Sequence, residues 1–406
     1  MIPSLEYTDR YYNEGTRTYS SLADYTEADE QYRPNSTYDS FSLVPLRVLK
    51  SQVNIYSANP SAQLFNRYIY ENEVLFCIHP QVLLNFKQDP YIISMKEKGE
   101  VGKRAISVVP SSSTRTLYVL DDGDISHALK VHFPFRISRY GRKMRDEVIG
   151  QAINISLELE EGIKHLDDDF AFLREVLGVS HKNLDILSAR NENWGYLVRD
   201  MRPFPHVSES RTLLPGFALY GRNFFDPEKP PLLYQLIGNE NPLDFVLGNI
   251  MLPIIRHWVD CFLRFGYMLE PHGQNVLLEL NESGGVERIV HRDLSVGIDM
   301  RRRRQIGLSQ GNLNNYNRME SGEFNSITYD MFMGGHFFDA VVSCCLKRYP
   351  QLTVEDFRAP CRQLFAEIFP EYRKFLPATV HYFSEKRDQF NKPLYKDTGK
   401  SPEWRP

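Results

Sequence analysis

The chain has 406 residues, of which 42% are hydrophobic, enough for one large or two medium cores. A net charge of −4 and a pI near 6.3 exclude any global attraction to nucleic acid or to anionic membranes. The five cysteines (Cys77, Cys261, Cys344, Cys345, Cys361) lack C-x-x-C spacing, which argues against a disulfide framework or a zinc site and for a reducing, cytoplasmic compartment. No basic–apolar–small leader opens the sequence. The most apolar stretch, 243–269, is broken by Asp244, Pro253, Arg256, Asp260 and Arg264, so no membrane span is expected.

The first 40 residues hold seven tyrosines and few aliphatics, and read as a loose lead-in or the remnant of a missing domain, extending over 1–70. Residues 73–78 form a strand-like run. Apolar residues at Leu129, Val131, Phe133 and Phe135 recur with period two, and with the run 117–120 and the turn 121–124 they predict a β-hairpin. The spacing of Val148, Ile149, Ala152, Ile153 and Leu157 predicts an amphipathic helix over 144–163. A strand follows over 194–199, and the Pro-rich link 226–231 marks a boundary. Beyond it a helix from about 243, kinked or split by Pro253, delivers Glu270 at its C-terminal end. Strands at 276–280 and 288–290 frame Asp293, helices at 326–348 and 354–369 close the region, and the polar tail after 386 frays. The expected fold class is α+β. An antiparallel, fingers-like middle region (71–225) stands against a largely helical, palm-like C-terminal region (226–390), with the site in the cleft between and a tail at 391–406.

Two polar clusters carry the chemistry. Glu270-Pro-His-Gly-Gln-Asn275 packs a carboxylate, an imidazole and two carboxamides together, and Asp293 reappears at the end of a strand. Hard oxygens of this kind take Mg²⁺, and the neighbouring donors take an anion; the same string also fits an ordinary loop. Upstream, Ser113, Arg115 and Thr116 sit at the mouth of the hairpin that carries Lys130 and His132 on one face, with Arg136, Arg139, Arg142 and Arg145 beyond. Hydroxyls, a guanidinium and an ammonium suit a triphosphate or tricarboxylate, although a basic, solvated hairpin has the same composition.

Three other motifs fail on context. His291-Arg-Asp-Leu294 copies a kinase catalytic loop, but Ile298 stands where the metal-binding Asn belongs and no Gly-rich loop precedes it. Gly307-Leu-Ser-Gln-Gly311 matches a hydrolase elbow, yet Arg301-Arg-Arg-Arg304 precedes it instead of a buried strand, so a flexible polar loop is expected. Gly99-Glu-Val-Gly-Lys103 lacks the spacer of a P-loop. The four-arginine run reads as a solvated face. His79 fits either a capped strand end or a ligand contact.

In order, Ile78-His-Pro-Gln81, Ser113-Thr-Arg-Thr116, His127-Ala-Leu-Lys130 with Ile137-Ser-Arg-Tyr-Gly-Arg142, Gly195-Tyr-Leu-Val-Arg-Asp-Met-Arg202, Leu214-Pro-Gly-Phe-Ala-Leu219, Glu270-Pro-His-Gly-Gln-Asn275 and Arg292-Asp293 resemble the successive motifs of the IucA/IucC family of siderophore synthetases, which work independently of nonribosomal peptide synthetases. The resemblance covers roughly residues 70–385. It implies ATP-dependent condensation of a carboxylic acid, citrate or a citryl derivative, with a polyamine, a hydroxylated diamine or a hydroxyl, through an acyl adenylate. By similarity Ser113, Arg115, Thr116 and Lys130 grip the phosphates of ATP, and Arg142 and His272 sit where ATP meets the carboxylate substrate. Ser138 falls where the family has a substrate-contacting Thr, Glu270 and Asp293 hold Mg²⁺, and Gln274 and Asn275 complete the pocket. Relatives that often dimerise make a homodimer an option.

The chain departs from the family before Ile78, where no HP-x-HP-x-x-K motif occurs and the segment is short. Gln81 also follows Pro80 where the family usually has Trp. The alternative expectation is therefore a catalytically impaired, truncated homologue that acts as a ligand-binding or partner protein. Cys344, Cys345 and Cys361 do not supply the four thiolates that an iron–sulfur cluster of the ferric-siderophore-reductase kind needs, and read as core.

Overall fold

The computed structural model describes residues 2–14, 25–97, 105–121, 124–137, 140–185, 193–209, 211–308, 311–387 and 393–406. Period-two runs become strands of one antiparallel, seven-stranded sheet in the order Phe41–Leu43, Ile106–Pro110, Thr116–Asp121, Asp124–Val131, Asn193–Asp200, Glu175–Asp185 and Val53–Ser57. The expected hairpin is its centre, with Leu117 opposite Leu129 and Thr116 opposite Lys130. One face buries Leu117, Leu129, Val131 and Val198 against the aliphatics of 43–78, while Leu197 on the other takes Ile149 and Ile153 of the helix Asp146–Gly162.

A second, four-stranded sheet runs Phe170–Phe172, Val286–His291, Val276–Leu280 and Thr212–Pro215. Its first pair is parallel and the others antiparallel, so the sheets are not uniformly antiparallel as expected. A small apolar cluster lies in the seam between the sheets: Val109, Tyr118 and Ala128 from the first, Leu213, Leu277 and Val290 from the second, and Leu5 from the N-terminal helix.

The C-terminal half is a helical core built on Trp258, Phe262, Tyr329, Phe337 and Phe365. The run from Pro242 passes through a π-helical turn, Leu247–Met251, into the helix Leu252–Phe265. The wider turn accommodates Pro253, which has no N–H to donate. By length and composition this segment could cross a bilayer. Here its apolar residues pack inside the helical core. It ends at Gly266, whose φ of +70° is the left-handed cap that glycine adopts without strain. Glu270 therefore lies beyond the helix, after the short strand Tyr267–Met268, and not at the helix end.

Three further expectations change, and one open reading closes. The described part of the opening segment is not loose: the helix Leu5–Tyr11 is packed in, with Asp9 fully buried. The tail is anchored, with Trp404 on Phe338 and Arg405 paired through two nitrogens to Asp330 at 2.8 and 2.9 Å. The four-arginine run is a solvated face only at Arg304, which is exposed; Arg303 is buried and Arg301 and Arg302 are partly covered. Arg301 pairs with Asp299, Arg302 bonds the Leu263 carbonyl, Arg303 reaches Glu158 and Arg304 reaches Glu320. They form the short helix Met300–Gln305. His79 is buried and caps the helix Pro80–Asn85, its Nδ1 accepting from the Gln81 N–H, which is the structural role. Residues 309–310 of the G-x-S-x-G string, and the 99–103 string, lie outside the described residues.

Arg405 and Asp330 are both nearly solvent-free, so removing one partner strands a buried charge, at about 3–5 kcal/mol. Arg405→Ala is expected to lower the denaturant midpoint by a corresponding amount with an unchanged slope, measured by chemical unfolding.

Candidate active site

The strands Ile106–Pro110 and Thr116–Asp121 are joined by a turn that folds its own hydroxyls back onto its backbone. The Ser111 and Ser113 hydroxyls are 2.9 Å apart, and the Ser113 Oγ accepts from the Thr116 N–H at 3.2 Å. Thr114 sits at φ +67°, where a β-branched residue is strained, and its buried hydroxyl has no hydrogen-bond partner. Arg115 reaches across to the Lys143 carbonyl and Met144 Sδ. Burial, then the neighbouring Arg142, push the Arg115 guanidinium down to about 10.

The opposing edge comes from the second sheet. The loop 270–275 is a tight turn in which the His272 N–H donates to the Glu270 carbonyl and the His272 Nδ1 accepts from the Gln274 N–H. Gly273 allows it: a Cβ there would lie 2.6 Å from the Tyr220 hydroxyl. Asn275 is buried and its carbonyl accepts from the Arg292 N–H. Asp293 follows the strand Val286–His291 with φ +74°, the second strained residue of the region.

The two edges touch. Lys130 Nζ donates to Asp293 Oδ1 at 2.6 Å, with Lys130 2% and Asp293 30% exposed. Against the upward push of burial, Lys130 and Arg199 hold the Asp293 carboxyl well below the usual carboxylate range. Burial lowers Lys130 in turn, and Asp293 opposes the shift. Glu270 is half-buried and its carboxyl accepts no hydrogen bond among the described residues; burial, then Asp293, raise that carboxyl to about 8. Burial likewise pushes His272 down to about 4, so it is a neutral imidazole at neutral pH. Arg142 acts on Glu270, His272 and Arg115 through space and, among the described residues, makes no hydrogen bond or ion pair. The structure thus brings Arg115, Thr116, Lys130, Arg142, Glu270, His272 and Asp293 together, with Ser113 in the same turn and Gln274 tied to it through Ser112 at 3.0 Å. Ser138 lies outside the described residues. No group of three or more His, Cys, Asp or Glu among the described residues forms a metal cluster; the acidic pair Glu270 and Asp293 is what the region offers. Two open surface grooves, lined by residues such as Arg10, Tyr11 and Phe225 or Asn13, Glu14 and Arg222, contain none of these side chains.

Several participants carry no role in the sequence reading. Arg199, inside the quoted Gly195–Arg202 motif, is buried against Glu175 beneath Lys130. Tyr316 lies within electrostatic reach of Arg115, Glu270 and Asp293. Arg292 and Asp9 form a buried pair at 2.7 Å, and nothing in the Tyr-rich opening marks Asp9 as special.

The profile of the ferric iron reductase FhuF-like transporter family matches residues 254–344. No curated protein is significantly similar in sequence. Solved structures match over almost the whole chain. The petrobactin biosynthesis protein AsbB from Bacillus anthracis str. Sterne aligns with TM-score 0.75 at 15% identity, over 95% of this chain and 71% of its own. ATP-bound aerobactin synthetase IucA from a hypervirulent pathotype of Klebsiella pneumoniae aligns with TM-score 0.67 at 15% identity, over 93% and 73%. Aerobactin synthetase IucC from the same source aligns with TM-score 0.67 at 13% identity, over 98% and 82%. The chain has the fold of the NRPS-independent siderophore synthetases. In the stretch matched by the FhuF-like profile, Cys261 and Cys344 are free, buried members of the helical core of this synthetase fold.

The strain at Thr114 has a measurable counterpart. Thr114→Gly removes an unfavourable φ and an orphaned buried hydroxyl, so stability is expected to hold or rise by about 1 kcal/mol. Thermal and chemical unfolding check it; a clear loss of stability would mean the threonine is there for packing alone.

Proposed function

We propose that the protein is an ATP- and Mg²⁺-dependent ligase of siderophore assembly that joins a carboxylic acid, citrate or a citryl derivative, to an amine or hydroxyl. The acid attacks the α-phosphorus of ATP and pyrophosphate leaves; the nucleophile then attacks the acyl adenylate, loses its proton and expels AMP. The observation that carries this reading is the contact between Lys130 and Asp293, with Arg115, Arg142 and Glu270 around it. Bringing a polyanionic acid against a polyphosphate is an electrostatic problem, and fixed cations in a partly dry site solve it without a protein nucleophile.

In this reading Ser113, Arg115, Thr116 and Lys130 hold the phosphates, with Thr114's unpartnered hydroxyl beside them. Arg142, whose side chain has no partner among the described residues, and the neutral His272 orient the acid's carboxylate. Ser138, Gln274 and Asn275 complete the substrate pocket. Glu270 and Asp293 fit Mg²⁺, because one or two carboxylates plus substrate phosphates are its usual donor set, and the raised Glu270 carboxyl is a group whose proton a bound cation would displace. Bound there, Mg²⁺ would draw charge from the phosphate oxygens. The substrates are small molecules and the setting is the cytoplasm; the acceptor is a polyamine or hydroxylated diamine, and a homodimer fits the same reading.

One observation favours a second reading. Lys130 and Asp293 neutralise each other directly at 2.6 Å, so phosphate and metal must compete with an existing ion pair. A noncatalytic relative that binds a carboxylate or nucleotide, or pairs with an active synthetase, would retain that pair.

Pyrophosphate release with citrate, ATP, Mg²⁺ and a panel of polyamines and hydroxylated diamines separates the two. Turnover is expected, and Arg115→Ala, Lys130→Ala and Asp293→Ala should each lower kcat by about 10²–10³-fold, the usual cost of one preorganised charge. ATP–Mg²⁺ affinity by calorimetry without turnover would select the noncatalytic relative, and variants equal to wild type would dismiss the residue roles.

A further inference from the structure

We infer that Asp9, from the N-terminal helix, is a positioning residue that holds the hydroxyl-rich turn and the Asp293 edge at a fixed separation. This rests on the reading of the site under Proposed function. Its carboxylate is fully buried and contacts two distant stretches, the turn and strand of 112–118 and Arg292. Asp9 accepts from the Ser112 N–H and hydroxyl at 3.2 and 3.1 Å, from the Tyr118 hydroxyl at 2.7 Å, and from Arg292 Nη2 at 2.7 Å. Arg292 in turn donates from Nη1 to the Tyr118 hydroxyl at 2.9 Å and from Nε to the Gln274 carbonyl at 2.6 Å. Asp9 and Arg292 together therefore tie the turn 111–116, the loop 270–275 and the segment 292–293.

The placement of strain gives this network its purpose. Thr114 is two residues from Ser112, and Asp293 is next to Arg292; both have positive φ. Such conformations persist only where the surroundings over-determine them. Leu5, on the same helix, packs into the apolar seam between the two sheets, so the helix is seated independently of the ion pair. A bond that served only to neutralise Arg292 would need no contacts to Ser112. Asp9 makes two.

Hydrogen exchange and kinetics on the full chain test the inference with two mild variants. Asp9→Glu keeps the charge but moves the carboxylate by a methylene, and Tyr118→Phe removes one hydrogen-bonding hydroxyl. Amides of 111–116 and 292–295 are expected to exchange about tenfold faster in both, the scale of one hydrogen bond to a charged group, while those of 176–180 stay as in wild type. In the pyrophosphate assay Asp9→Glu should lower kcat by up to about 10²-fold, since a displacement near 1 Å costs that much. Unchanged local exchange overturns the inference whether or not wild type turns over. Faster exchange with unchanged kcat and KM in an active enzyme overturns it too, leaving Asp9 a purely structural charge. Faster exchange in a protein whose wild type neither binds ATP nor releases pyrophosphate keeps the linkage and sinks the synthetase reading alone.

Discussion

A lysine ammonium buried in a β-sheet needs a counter-charge, and here a different sheet supplies it. Lys130 lies in the centre of the seven-stranded sheet with a side chain only 2% exposed, and its partner Asp293 stands at the end of a strand in the other sheet. Leaving either unpaired would carry the desolvation cost of an isolated ion, so the pairing constrains how the two sheets meet. Around it Arg199 is held by Glu175, and Arg292 by Asp9. The result is a seam where polar groups are concentrated and their positions are mutually dependent.

That concentration has a conformational cost. Four non-glycine residues among those described have positive φ, and two of them, Thr114 and Asp293, flank this seam. Strain gathered at a polar seam with an orphaned hydroxyl and a carboxyl raised by burial is the pattern of a site kept ready for a ligand. A stability-optimised loop would have glycine or asparagine at such positions. The anion-binding reading and the strained backbone therefore support each other without depending on the same observation.

The likeness to AsbB, IucA and IucC, at 13–15% identity, concerns the arrangement of sheets and helices. Within that arrangement this chain seats both termini. The N-terminal helix closes the polar seam, and Trp404 and Arg405 close the helical core from the far end. Both segments look dispensable by composition, being polar and poor in aliphatics. Their importance lies in a few buried charges, which composition does not weigh.

Local pattern alone was enough for the central hairpin, the helix 146–162, the paired strands before Asp293 and the late helices, because period and apolar spacing report which face is buried. The string-level reading and the resemblance picked out Arg115, Lys130, Arg142, Glu270, His272 and Asp293, which meet at the seam, because chemistry requires particular side chains in particular company; Arg199 and Tyr316 escaped it. It did not reveal that Asp9 belongs with them, that Arg303 is buried against Glu158, or that the tail is anchored. Those outcomes depend on which charges become neighbours after the chain closes over hundreds of residues. An ion pair has no period along a sequence; only the folded arrangement decides who stands opposite whom.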